Sequence, residues 1–175
     1  DHFVVALGDS IVQGRNGACF LAEMVKTHIE SGADCTIAVE HVEIDEVFRY
    51  GIVKPAAGQE DQRDFDLEDL VEKPRPAVAP SQLAIAARYV FSPAIFDAIS
   101  RTAADRGGEI QLTDAIRLML RMGHRVRAIR FGEGEHRYDI GNFESYYRAF
   151  VDMALADEKY GYTLRQYIKR KASEL

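Results

Sequence analysis

No stretch of the 175 residues approaches the roughly 18 to 20 apolar residues of a membrane span, and the start lacks the charged region and cleavage pattern of a secretory signal. Both absences point to a soluble cytoplasmic protein with no membrane partner. Cysteine is scarce. Cys19 and Cys35 are the only two, and neither sits in the clustered Cys or His spacing of a zinc site, so both read as reduced packing residues. Basic charge is also in deficit, with 22 Lys and Arg against 28 Asp and Glu, a net charge of -6. Phosphate backbones call for a basic surface, so a nucleic-acid partner is excluded as the general function, while a locally basic pocket is not. Internal repeats, low-complexity tracts and dividing linkers are missing too. What is present is 47% hydrophobic and 29% charged residues, enough apolar surface for the core of one globular domain.

Hydrophobic patterning organises the chain. Phe3 to Leu7 is a short continuous apolar run rich in β-branched residues that ends at Gly8, the pattern of a buried strand. Helical spacing from Phe20 to Ile29, closed by Gly32, and a second strand from Cys35 to Val42 complete a strand, helix, strand unit. Tyr50 to Val53, Leu67 to Glu72 and Leu83 to Phe91 read as further strands. A polar hairpin or insert from Lys54 to Asp66 and a Pro-rich, non-helical crossing from Pro74 to Pro80 separate them. Helices are expected at Ser92 to Ser100 with Ser92 as cap, Thr113 to Met122 ending at Gly123, Phe143 to Leu155 and Thr163 to Ala172. A strand with one wet face fills Arg125 to Phe131. The C-terminal helix carries Leu164, Tyr167 and Ile168, either a contact surface between copies or a face packed on the protein itself.

The first strand runs into Gly8-Asp9-Ser10-Ile11 with Gly14 beyond it, which resembles the first block of the G-D-S-L type esterases. A serine nucleophile needs a base and an orienting carboxylate, and that family supplies them as Asp-x-x-His. None of His2, His28, His41, His124 or His136 has Asp three residues before it, and Glu133-x-x-His136 is the nearest approach. The serine-esterase reading therefore stands only as an alternative.

Four polar stretches fall where predicted strands end: Gly8-Asp9-Ser10, Arg49-Tyr50-Gly51, Val71-Glu72-Lys73-Pro74 and Tyr138-Asp139-Ile140-Gly141-Asn142. Strand ends of an open α/β sheet converge on its ligand crevice. Asp9 and Asp139 form a carboxylate pair suited to Mg²⁺, which takes oxygen ligands and keeps waters and substrate phosphates in its shell. Each could instead close a turn or cap a helix. Glu72 can accept from hydroxyls, Lys73 can meet a phosphate as a point charge, and Gly51 allows close backbone approach to a ligand. Gly107-Gly108 leads into a helix for which Thr113 reads as the cap.

Taken in order, Arg49-Tyr50-Gly51-Ile52-Val53, "VEKPRPAVAPSQLAIAARYVFSPAIFDAI" from Val71, "GGEIQLTDAI" from Gly107 and "YDIGNFESYYRAFVDMAL" from Tyr138 resemble segments of the sugar-1-phosphate nucleotidyltransferases. The branch they resemble is the bacterial-type UTP-glucose-1-phosphate uridylyltransferases. The resemblance implies a Rossmann-like three-layer α/β/α fold with a mixed sheet, in which residues 1–175 form a single partial domain. It also implies a transferase that moves UMP from UTP to glucose 1-phosphate, giving UDP-glucose and pyrophosphate. By resemblance, Asp9 and Asp139 hold catalytic Mg²⁺, Gly51 and Glu72 contact glucose hydroxyls, and Lys73 holds the sugar phosphate.

Departures accompany it. Leu7-Gly8-Asp9 stands in place of Leu-Pro-Asp, Gln82 in place of Asn, and Ala87 in place of Gly. The family's Gly-x-Gly-Thr-Arg nucleotide loop has no counterpart. The resemblance therefore implies a chain truncated at its N-terminus, inactive alone, that pairs with a missing N-terminal half or forms a homo-oligomer. A sugar-phosphate-binding module without catalysis is the further alternative.

Overall fold

The computed structural model describes residues 1–15, 19–105 and 107–174, and the chain forms two compact units. Unit 1 comprises 1–7 and 13–136; unit 2 comprises 8–12 and 137–175.

Unit 1 is built on a six-stranded sheet of β1 (Phe3–Ala6), β3 (Cys35–His41), β4 (Gly51–Pro55), β5 (Asp64–Glu72), β6 (Leu83–Phe91) and β7 (Val126–Arg130), in the order β1-β6-β3-β7-β5-β4. β3 runs parallel to β7 and antiparallel to β6, so the sheet is mixed. A single bridge between Ile52 and Ala84 also joins β4 back to β6, which curls the sheet at that end. β1 occupies one edge, with Val4 and Leu7 exposed.

The period of two along β3 sets the layers. Cys35, Ile37 and Val39 point into the main core, where they meet Ile95 and Ala98 of α2 (Ala94–Arg101) and Ile116 and Met119 of α3 (Leu112–Arg121). Thr36 points the other way, and its Oγ1 lies 2.9 Å from Nδ1 of the fully buried His28 on α1 (Phe20–Ser31). Helices thus cover both faces, the three-layer α/β/α arrangement expected. Burial, together with the neighbouring His2 ring and against the attraction of Asp34, holds the His28 pKa below its usual value. α1 ends where expected, at Gly32 in the left-handed region (φ 64°), whose N–H returns to carbonyls of the last turn.

Three local expectations change. The Pro-rich crossing is not wholly non-helical: Pro76–Val78 makes one 3-10 turn, which Pro enters readily at its first position. Helix α2 begins at Ala94, and Ser92 Oγ accepts from Ala94 N at 3.4 Å, a longer contact than a normal N-cap. Gln111, not Thr113, stands at the cap position of α3.

Ala87 carries a cost of its own. Between Ile37↔Tyr89 and Val39↔Ile85, β3 advances two residues while β6 advances four, so β6 bulges, and Ala87 at its apex takes φ 55°. The bulge aims the Ala87 carbonyl at Leu7 N, 3.2 Å away. An L-residue in this region costs about 1–2 kcal/mol, partly offset by the smaller chain entropy of Ala than Gly in the unfolded state. Ala87→Gly is expected to raise stability by about 0.5–1 kcal/mol, read as a higher urea midpoint at unchanged slope. A lowered midpoint would mean that the methyl group contributes more by packing than it costs in strain.

Most of β2 (Ser10–Gln13) and of β8 (His136–Asp139) falls in unit 2, and the two pair as a two-stranded sheet; a strand end is expected at Tyr138-Asp139, whereas β2 is not, because it carries no sustained apolar face. The sheet is followed by α4 (Phe143–Ala156) and α5 (Gly161–Ala172), which pack on each other. Asn142 caps α4, its side chain accepting from Ser145 N at 3.0 Å. That leaves Asp139 free of the capping role. On α5, Leu164 and Ile168 are half-buried, whereas Tyr167 is exposed. No helix among the described residues is long and apolar enough to cross a membrane.

Candidate functional site

Unit 1 assembles a cradle at one end of the β4–β5 hairpin. Gly51 opens β4 and pairs with Glu72, the last residue of β5, because antiparallel pairing puts the start of one strand beside the end of the other. The stretch Arg49-Tyr50-Gly51 therefore lies at the beginning of a strand rather than at its end. Lys73 follows in a left-handed conformation, φ 45°, fixed by its own N–H donating to Tyr50 O at 3.0 Å. A lysine held in this region stores strain of about 1–3 kcal/mol, which is characteristic of functional positions. Its Nζ lies 3.7 Å from Glu72 Oε1, with the lysine side chain 60% exposed and the glutamate 22%.

The absence of a side chain at Gly51 is a packing necessity. A Cβ there would fall 2.8 Å from Thr113 Oγ1, 2.8 Å from Ile85 Cδ1 and 3.1 Å from Glu72 Oε2. A hydroxyl and a carboxylate thus converge over bare backbone. Thr113 is the residue that sequence reasoning assigned wrongly. Read as a cap, it lies inside the first turn of α3 and is 7% exposed.

Two polar devices place it. Arg117, one turn further along α3, makes a bidentate pair with Asp69 of β5 at 2.7 and 2.6 Å, which ties helix to hairpin. Burial pushes the Asp69 carboxyl up, but the Arg117 bonds outweigh it and hold the pKa below the ordinary value. Ahead of the helix, Asp105 Oδ1 accepts from the Gly107 and Glu109 amides and Oδ2 from Gln111 Nε2. These bonds, led by that of Gln111, also keep its carboxyl acidic. The Gly107-Gly108 loop is thus a brace that ties Asp105 to Gln111, the residue at the cap position of α3.

Unit 2 brings together the two aspartates that lie far apart in sequence. Ile140 N donates to Asp9 O at 2.8 Å, continuing the β2–β8 pairing, and Gly141 N donates to Asp139 Oδ1 at 3.0 Å. A Cβ on Gly141 would lie 3.2 Å from Asp139 Oδ1 and 4.0 Å from Asp9 Oδ2, so both carboxylates border the space above this glycine. Asp9 is exposed and Asp139 half-exposed. Among the described residues no three His, Cys, Asp or Glu side chains form a metal cluster. Two all-oxygen donors suit a hard cation that keeps waters and phosphate oxygens in its shell, as Mg²⁺ does. Beside them, a cavity of ≈250 Å³ is lined by Ile140 to Phe143 and Tyr146.

Ser10 is 6% exposed within β2, not raised on an exposed turn as an acyl-transfer nucleophile must be. This removes the structural basis for the serine-esterase alternative.

A family model described as nucleotidyl transferase matches residues 1–155. A UTP–glucose-1-phosphate uridylyltransferase 2 of Staphylococcus saprophyticus is 39% identical over 170 residues, 97% of this chain and 56% of that protein. Among solved structures, a UDP-glucose pyrophosphorylase from Acinetobacter baumannii superposes with a TM-score of 0.83 at 33% identity, over 97% of this chain and 56% of that one. A UTP-bound form from the same organism gives 0.82 at 33% identity, over 96% and 56%. The chain spans little more than half the length of each of these proteins.

Proposed function

As the chain belongs to the nucleotidyl transferase family, we propose that it carries the sugar-phosphate-binding and metal-binding part of a UTP–glucose-1-phosphate uridylyltransferase. Both units are read as parts of one such domain, since the family match runs through both. The reaction is in-line transfer: a phosphate oxygen of glucose 1-phosphate forms a bond to the α-phosphorus of UTP, the bond to the bridging oxygen breaks, and UDP-glucose and pyrophosphate leave. These charged, water-soluble substrates fit a cytoplasmic setting.

The observation that carries the reading is the cradle. Glu72 accepts from sugar hydroxyls, Thr113 supplies a hydroxyl beside it, and the bare backbone of Gly51 leaves room for those two polar groups to stand together. Lys73, outermost and most exposed of the group, meets the phosphate as a compact cation. Fixing the sugar phosphate in one orientation lowers the entropic part of the barrier. Asp9 and Asp139 would hold Mg²⁺, which when bound offsets the charge of the phosphates during transfer.

Lys73→Gly separates binding from stability. Removing the ammonium is expected to weaken glucose 1-phosphate binding by about tenfold or more, by calorimetry. Glycine accepts φ 45° without strain, so the same variant should melt no lower than the parent, and up to about 1 kcal/mol more stable. Unchanged affinity would remove Lys73 from the phosphate site, and absence of glucose 1-phosphate binding by the parent would remove the cradle.

A further inference from the structure

We propose that unit 1 contains a second ligand site, for a small phosphate-bearing anion, in a cavity separate from the Gly51 cradle. It has a volume of ≈310 Å³ and is lined by His41, Lys54, Glu60, Ser81, Gln82 and Arg130 among others. His41 and Arg130 end the parallel strands β3 and β7, so the cavity lies past their C-terminal ends, where open α/β sheets hold ligands. Three of its side chains can carry positive charge and one carries negative.

Arg130 is the central observation. The other arginines on and around β7 are paired with carboxylates: Arg127 with Asp64 and Asp66, Arg125 with Asp66, and Arg63 with Glu23 and Glu135. Arg130 pairs with no carboxylate among the described residues. Its Nη2 donates to the Glu60 backbone carbonyl at 2.6 Å, its guanidinium stacks over Phe65 at 5.7 Å, and its Nε is buried with no acceptor among the described residues. Arg127 Nε is orphaned in the same way, so what sets Arg130 apart is a guanidinium with no carboxylate to balance its charge, which a bound anion would supply.

The remaining side chains agree. The Glu60 carboxylate is turned to its own loop, accepting from Gly58 N, and so is already engaged. Lys54 holds an exposed pair with Glu68, a contact weak enough to be exchanged for a ligand. The Ser81 hydroxyl is committed, donating to Val53 O and accepting from Leu83 N, and it fixes the cavity wall rather than the ligand. Gln82 donates to Val42 O and leaves its carbonyl for a hydroxyl of the ligand. A fixed guanidinium beside a flexible ammonium and an imidazole is a phosphate-recognising set, and the cavity volume exceeds that of the phosphate alone.

The test is titration of inorganic phosphate into the ¹⁵N-labelled protein that carries this chain, followed by NMR against chloride at equal ionic strength. Saturable shifts of the His41 ring and Arg130 Nε signals are expected. Arg130→Gln should weaken that response by about tenfold or more, while Lys73→Gly leaves it unchanged. Should Arg130→Gln not fold, Lys54→Gln, which disturbs only an exposed pair, probes the same cavity and should show a smaller loss of affinity. No saturable shift, an equal response to chloride, or a response lost in Lys73→Gly and kept in Arg130→Gln overturns the site.

Discussion

Asp139→Ala, made in the protein that carries this chain, is expected to lower Mg²⁺-dependent formation of UDP-glucose by about a thousandfold. Asp139 ends β8, and its side chain accepts from Gly141 N at the surface, so the substitution removes a carboxylate without opening a core. Its partner Asp9 borders the same glycine, and each aspartate alone offers one carboxylate to a cation that needs several oxygens. Losing one of two is therefore a loss of function rather than of fold: the circular dichroism spectrum and melting midpoint should stay close to the parent's. Glucose 1-phosphate binding, assigned to Glu72 and Lys73, should also survive. A graded companion is Gly141→Ala, whose Cβ would stand 3.2 Å from Asp139 Oδ1, close enough to crowd the carboxylate without removing it. Its rate should fall between the two. If turnover in Asp139→Ala stays within a few fold of the parent, the carboxylate pair is not the metal site.

Legibility in the sequence varied with the physical origin of each feature. Strands β3 and β6 and helix α1 could be read to within a residue or two. Their buried faces are long apolar runs, and Gly32 marks a left-handed stop that few other residues accept. The pairing of β2 with β8 could not be read: a strand end at Tyr138-Asp139 was legible, but β2, four residues of mixed polarity, owes its existence to its partner and not to a hydrophobic face. Residue types and neighbours in sequence singled out Glu72, Lys73 and Gly51 as candidates, and the structure brings the three together at one end of the β4–β5 hairpin. The role of Thr113 depends on a contact across 62 positions with Gly51, set by the Asp69–Arg117 pair, and no local pattern encodes it. Arg130 was invisible for a similar reason. In sequence it is one of several arginines, and only the carboxylate partners of the others make it exceptional.

Gly51→Val is expected to weaken glucose 1-phosphate binding by about a hundredfold, with Gly51→Ala intermediate. The glycine is not kept for its dihedral angles, because Gly51 is absent from the positive-φ positions and alanine or valine would adopt its backbone without strain. Valine even favours a strand. What excludes a side chain is occupied space: the first carbon alone would meet Thr113 Oγ1 and Ile85 Cδ1 at 2.8 Å. Ile85 can turn its terminal methyl aside, but Thr113 is buried on a helix pinned by Arg117 and Asp69, so the hydroxyl and the Glu72 carboxylate must separate. Overpacking of this kind costs about 1–3 kcal/mol of stability, and parting two polar groups that meet one ligand removes two hydrogen bonds together. Calorimetry on Gly, Ala and Val at position 51 should therefore give a monotonic fall in affinity that exceeds the accompanying fall in melting temperature. A second substitution, Thr113→Ser, removes a methyl group and leaves the hydroxyl. In the Gly51→Ala background it should recover part of the lost affinity, since the serine hydroxyl can rotate away from the new Cβ and still face the sugar. Failure of that rescue, with affinity lost in step with stability, would mean that Gly51 serves the packing of β4 and not the ligand.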